Sequence, residues 1–141
     1  MKSHEGEAPM FENLEVFRIS HAMAVHAGQK QAVAAQNVAN SDTPEYKARD
    51  LAPFAETYNN NMSNRDVTGQ RSTRALHLHG TMNSSVAQPI VDKTSVASPN
   101  GNNVSLETEM LKSLGAKRQH DRAMAIYKSS LNILRATLRR S

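Results

Sequence analysis

Six histidines are the first residues here with types that could hold a metal or move a proton. His77 and His79 would share one side of a strand, because strand side chains alternate with a period of two. No acidic third ligand stands near them in the sequence. His21 and His26 are five apart and look toward different helix faces, unlike the i, i+4 pair of a zinc helix. His120 falls in a row of apolar residues, where a polar side chain that fixes register is the simpler role. There is no cysteine, which removes disulfides and thiolate metal sites. No glycine-rich phosphate loop occurs, and no nucleophile can be paired with a base. Asp42 beside Thr43 is explained by turn chemistry. The chain reads as a non-enzyme without metal, cofactor or small-molecule substrate.

Composition points the same way. Hydrophobic residues make up 38% and aromatic residues 4%, with no Trp, three Phe and three Tyr. A chain this polar forms a narrow helical seam or completes its core with other subunits. The net charge of +4 and pI of about 9.6 permit an acidic partner. The densest basic group, Arg135, Arg139 and Arg140, suits a solvated helix end that complements its own dipole. No aromatics are interleaved for base stacking. The alternative of a basic helical module for nucleic acid or an acidic partner predicts binding that weakens steeply with salt. No stretch reaches the roughly 20 apolar residues a membrane span needs. Residues 1–10 lack the apolar core of a secretory signal and read as a disordered extension, with Met10 a second candidate start.

The elements that must carry any site are helical. The expected fold is mainly α: long N- and C-terminal helices paired as an antiparallel coiled coil, with a polar, irregular or small β-containing insert between them. The divisions are 1–10, the extension; 11–57, the first helix and the turn after it; 58–103, the insert; and 104–141, the last helix. From Phe11 to about Asn40 one apolar row runs through Leu14, Phe17, His21, Ala24, Gly28, Gln31, Ala35 and Val38. A second, Val16, Ile19, Met23, Val33 and Asn37, lies beside it, so contacts on more than one side are expected. Asn13 is the expected N-cap. The insert is turn-forming (N-N-N-M-S-N, T-G-Q-R-S-T, S-P-N-G-N-N); Leu76–Leu78, Val86 and Ile90-Val91 are its candidate strands.

Asn103 is the expected cap of the last helix, with Glu107 and Glu109 favourable at its start. Leu106, Met110, Ser113, Lys117, His120, Met124, Tyr127, Leu131, Leu134 and Leu138 repeat at alternating spacings of four and three, a heptad seam. Its apolar members, Leu106, Met110, Met124, Tyr127, Leu131, Leu134 and Leu138, are the expected packing residues. A helix from Val104 to Arg139 would be roughly 50 Å long. Heptads alone more often mean a private bundle than a filament.

The stretch Gln36–Asp50, Q-N-V-A-N-S-D-T-P-E-Y-K-A-R-D, ends the first helix. Pro44 has no N–H and pushes Thr43 out of the α region, so the helix must stop at about Asn40. Lys47 and Arg49 place positive charge near its exposed carbonyls. By chemistry alone this is an ordinary helix stop.

The same stretch resembles the signature of the flagellar axial proteins, the rod, hook and hook-associated subunits of bacterial flagella, approximately A-N-[IV]-A-N-[AS]-[DN]-T-P-G-Y-K. Asn37, Val38, Ala39, Asn40, Ser41, Asp42, Thr43, Pro44, Tyr46 and Lys47 suit it; Ala35 also does, with Gln36 inserted. Glu45 replaces the usual Gly, and since Glu disfavours φ > 0 a type I turn is expected in place of type II. A second block, N-G-N-N-V-S-L-E-T-E-M-L from Asn100 to Leu111, is similar to the lead-in to the last helix of a proximal rod subunit. The resemblance implies a structural subunit that polymerises through its terminal helices into a hollow, torque-transmitting rod in the periplasm. It implies contacts with copies of itself, other rod subunits, the rod-base adaptor and the membrane-ring protein. It also implies passage through the flagellar export apparatus without signal cleavage. The residues it marks for assembly are Asn37, Asn40, Asp42, Thr43, Pro44 and Tyr46.

Overall fold

Two helices of nearly equal length carry the fold: α1, Ala8–Ala39, and α3, Leu106–Leu138, of 32 and 33 residues. The computed structural model describes residues 8–65 and 87–139. Between the long helices come β1 (Arg49–Asp50), α2 (Phe54–Arg65) and β2 (Ile90–Val91). Among the described residues, no helix is long and apolar enough to cross a membrane.

Three contacts fix how the long helices lie. Phe17 meets Tyr127 edge to face with centroids 5.1 Å apart. His26 Nδ1 lies 3.3 Å from Gln119 Nε2, and Asn37 Nδ2 donates to Glu109 Oε2 at 2.9 Å. Ascending α1 from Phe17 to Asn37 therefore descends α3 from Tyr127 to Glu109, so the helices run antiparallel.

Small side chains line the contact. On α3 the buried residues are Glu109, Ala116, Ala123 and Ser130, each seven from the next. On α1 they include Ser20, Ala27 and Ala34, again seven apart, beside His26, Val33 and Asn37. Ser20 and Ser130 turn their hydroxyls onto carbonyls of their own helices, Phe17 and Ile126, both at 3.0 Å. Apart from Glu109, these two rows carry only Ala and Ser side chains.

The seven-residue rows that are buried lie one residue N-terminal to the expected seam on α3 and to the first expected row on α1, while Val33 and Asn37 of the second expected row are buried. On α3, Leu106, Met110 and Leu138 are 50%, 69% and 75% exposed. Met124 and Tyr127 are also exposed, and Leu131 and Leu134 are half-buried. On α1, His21, Gly28, Ala35 and Val38 face outward while Ser20, Ala27 and Ala34 face in. Rows offset by one residue share the same heptad period, so spacing cannot choose between them. Close approach of the backbones favours the small-residue row, and the Asn37–Glu109 bond pins it.

The helix boundaries differ for physical reasons. α1 begins at Ala8, which leaves Asn13 inside it. Asn103 does not cap α3, because its amide is committed to other backbone groups. Ser105 takes that place with extended φ −105° and ψ 115°, its side chain accepting from the Thr108 N–H. N-N-N-M-S-N is helical, lying within α2. Phe54 and Tyr58 anchor that helix to α1: Phe54 lies edge-on to His26 at 5.6 Å, and the Tyr58 hydroxyl donates to Glu15 at 3.3 Å. Those two contacts order the first turn, from which the weaker helix formers propagate.

β1 and β2 pair antiparallel, Arg49 with Val91 and Asp50 with Ile90. Ile90-Val91 is thus a strand. Leu76–Leu78, Val86, His77, His79 and residues 1–7 lie outside the described residues.

Candidate functional site: the joint between the terminal helices

The polypeptide leaving α1 turns back against the segment that enters α3, and side-chain amides hold the two together. Asn37 is the hub, with no exposed surface. Its Nδ2 donates to the Arg49 carbonyl at 2.7 Å and to Glu109 Oε2 at 2.9 Å. Its Oδ1 accepts from the Arg49 N–H at 3.0 Å and from the Tyr46 hydroxyl at 3.3 Å. The amide thus pairs with both backbone groups of Arg49 as a neighbouring strand would, and a carboxylate takes its second donor.

Asn102 closes the turn that follows α1. Its Nδ2 donates to the carbonyls of Asn40, Ser41 and Thr43 at 3.0, 2.8 and 2.8 Å. Its Oδ1 accepts from the Val104 N–H at 2.8 Å. The carbonyls of the turn that follows α1 are therefore met by a neutral amide, and those of Gln36, Asn37 and Val38 at the helix end by Asn40 and Ser41, where charge from Lys47 and Arg49 was expected. Lys47 reaches across to the Gly101 carbonyl at 2.7 Å. Asn103 Oδ1 accepts from the Ala48 N–H at 2.6 Å, and its Nδ2 donates to the Asp92 carbonyl at 3.2 Å.

The turn itself corrects another expectation. The Tyr46 N–H donates to the Thr43 carbonyl at 3.3 Å, and Glu45 between them has φ 60°. That is the left-handed backbone of a type II turn, not type I. Tertiary contact holds it there. The Glu45 N–H donates to the Asn100 carbonyl at 3.0 Å, and Gly101, itself at φ 81°, lies against Glu45. A Cβ on Gly101 would come within 3.3 Å of Glu45 Cα.

An ionic cluster ties in the small sheet. Lys112 Nζ lies 3.0 Å from Asp92, 3.1 Å from Glu109 and 3.2 Å from Asp50; Lys30 is 3.7 Å from Asp50. Burial alone would push the Lys112 ammonium down, but its contacts to Asp92, Glu109 and Asp50 outweigh this and hold it above its ordinary value. Asp92 is held well below the usual carboxylate range, first by the Thr94 hydroxyl and N–H and then by Lys112. Among the described residues, no buried side-chain nitrogen or oxygen lacks a partner.

The residues marked in the sequence divide by position. Asn37 and Tyr46 sit inside the joint and Asn40 at its edge, where its Nδ2 donates to the Gln36 carbonyl at 2.8 Å. Thr43 donates to Asn40 Oδ1 at 3.4 Å. Val38, Ala39, Asp42 and Pro44 are exposed. Asp92 and Lys112 belong to the joint without having been marked, Asn102 belongs to it from within the N-G-N-N block, and Asn103 does so in place of its expected capping role. His26 is buried, with Nε2 at 2.9 Å from the Ala52 carbonyl and Nδ1 on Gln119, so both ring nitrogens are engaged in packing. Among the described residues, no three His, Asp or Glu side chains are grouped to hold a metal ion. The site's chemistry is that of a fastener.

Among curated proteins, the flagellar basal body rod protein FlgB of Agrobacterium fabrum (strain C58) is 28% identical over 131 residues, covering 90% of this chain and 95% of that protein. The chain is similar to a flagellar rod protein. No protein-family model matches it. The likeness to FlgB covers too much of both chains to be confined to the signature stretch.

Proposed function

We propose that this chain is a structural, non-catalytic subunit of the bacterial flagellar basal-body rod, of the proximal type. Its terminal helices polymerise it into the hollow shaft that transmits torque. The observation that carries this reading is the similarity to FlgB along nearly the full length of both proteins. The molecule's own physics supports it. Ala27, Ala34, Ala116 and Ala123 are among the few buried apolar residues of α1 and α3, while Met110, Leu111 and Ile133 are 69%, 69% and 53% exposed. Large apolar side chains turned outward on a helix mark a surface that other subunits cover. Copies of this chain, other rod subunits, the rod-base adaptor and the membrane-ring protein are the proposed neighbours. The proposed route is the flagellar export apparatus, without signal cleavage, to a periplasmic rod.

The test is a deletion strain. Cells without this chain should be non-motile, and their isolated basal bodies should end at the membrane ring. Complete rods in that strain would overturn the reading.

A further inference from the structure

Asn100-Gly101 is the only asparagine–glycine pair in the chain, and it forms the side of the joint that faces Glu45. Such a pair is prone to cyclise, because no Cβ on the glycine shields its nitrogen from the asparagine side chain. Asn100 is exposed, so water reaches its amide. In the closed joint both reacting groups are nevertheless engaged. The Gly101 N–H donates to the Ser98 carbonyl at 2.8 Å. Asn100 Oδ1 accepts from the Asn102 N–H at 3.1 Å, as asparagine side chains do in turns. The Asn100 carbonyl accepts from the Glu45 N–H at 3.0 Å, and the Asn102 carbonyl from the Ser98 N–H at 2.7 Å. Gly101 is held at φ 81° against Glu45.

We propose that Asn100 is a site of spontaneous deamidation, guarded while the joint is closed, whose modification keeps the joint from closing again. A solvent base takes the Gly101 N–H proton, and that nitrogen attacks Asn100 Cγ. The new N–C bond closes a cyclic imide, and the Cγ–Nδ2 bond breaks to release ammonia. Water then opens the imide. Attack at Cγ leaves aspartate; attack at the main-chain carbon leaves isoaspartate, with the backbone running through Cγ and the former carbonyl turned into a free carboxylate. Cyclisation must pull the Gly101 nitrogen from Ser98 and turn Asn100 Cγ away from Asn102, so it proceeds through local opening of the joint. The isoaspartyl product does not fit back. Its added methylene displaces Gly101 where a single Cβ would already come within 3.3 Å of Glu45 Cα. It also takes the acceptor of the Glu45 N–H out of the main chain and sets a negative charge beside Glu45. Lys47, the cation at this turn, is already committed to the Gly101 carbonyl.

The experiment is timed incubation of the purified full chain in mildly alkaline buffer, with and without urea, followed by peptide mapping with mass spectrometry. In urea the peptide spanning Asn100 should gain the mass of an amide-to-acid exchange before any other asparagine peptide. Without urea the same gain should be slower by on the order of tenfold or more, because the guarding hydrogen bonds are in place. Asn100→Gln, whose longer side chain closes the ring poorly, should abolish it. Chain aged to isoaspartate at this position should then unfold at a lower urea midpoint than fresh chain. It should also fall below freshly made Asn100→Asp, which carries the charge without the added methylene. Equal rates with and without urea, an earlier gain at another asparagine in urea, or an aged chain with the midpoint of fresh chain would each overturn the proposal.

Discussion

Asn37 and Glu109, 72 residues apart in the chain, meet at 2.9 Å with both side chains buried. The carboxylate is tolerated out of water because Lys112 approaches its other oxygen at 3.1 Å. A charge-assisted bond in so dry a place is sensitive to the loss of either partner. Because Asn37 also holds both backbone groups of Arg49, one side chain couples the end of α1, the start of α3 and the sheet.

Asn37→Ala should therefore destabilise the fold by about 2–3 kcal/mol, since buried partners are left unmatched. Asn37→Asp should cost more, by setting a second carboxylate beside Glu109. Urea unfolding followed by circular dichroism reads both. Midpoints equal to that of the natural chain would show the joint to be dispensable.

Glu45→Gly should stabilise. A non-glycine residue in the left-handed region costs about 1–2 kcal/mol, and Glu45 is held there at φ 60°. Removing its Cβ should recover about 1 kcal/mol, less the extra freedom glycine has when unfolded. A melting temperature that falls instead would mean that the Glu45 side chain contributes more than the strain costs.

Met110 and Ala123 should behave oppositely. Met110→Asp alters a side chain that is 69% exposed, so isolated-chain stability should shift by no more than about 0.5 kcal/mol while motility is lost. Ala123→Leu puts bulk into a row with 1% exposure and should cost about 1–3 kcal/mol in the isolated chain. Paired unfolding and swimming assays separate the two. If Met110→Asp swims normally, that outward row is not an assembly surface.

Acid should loosen the joint through Asp92. Its folded value is depressed below the ordinary 3.8, so its contribution is fully present above that pH. The contribution is lost as pH falls toward the lower folded value. Thr94→Val removes the hydroxyl that most lowers it and should flatten the loss of stability in strong acid. Identical acid slopes in the two proteins would assign that loss to other carboxylates.

The primary sequence was enough for the two long helices and a stop at about Asn40, and it offered Ile90-Val91 as one of three candidate strands. Those follow from local forces: heptad periodicity, the missing N–H of Pro44, and short apolar runs between turn formers. α2 was not anticipated, because its asparagine-rich half, N-N-N-M-S-N, reads as turn-forming. Three matters were decided only when the chain was folded. Periodicity gives no preference between Met110–Lys117–Met124 and Glu109–Ala116–Ala123, rows separated by about 100° around one helix; close backbone approach and the Asn37–Glu109 bond selected the second. Glu45 was driven to positive φ by Asn100 and Gly101, more than fifty residues away. Asn103 lost its capping role because folding offered its amide Ala48 and Asp92. In each case a local preference of about a kilocalorie met a buried hydrogen bond or packed backbone contact of equal or greater strength, and the distant partner won.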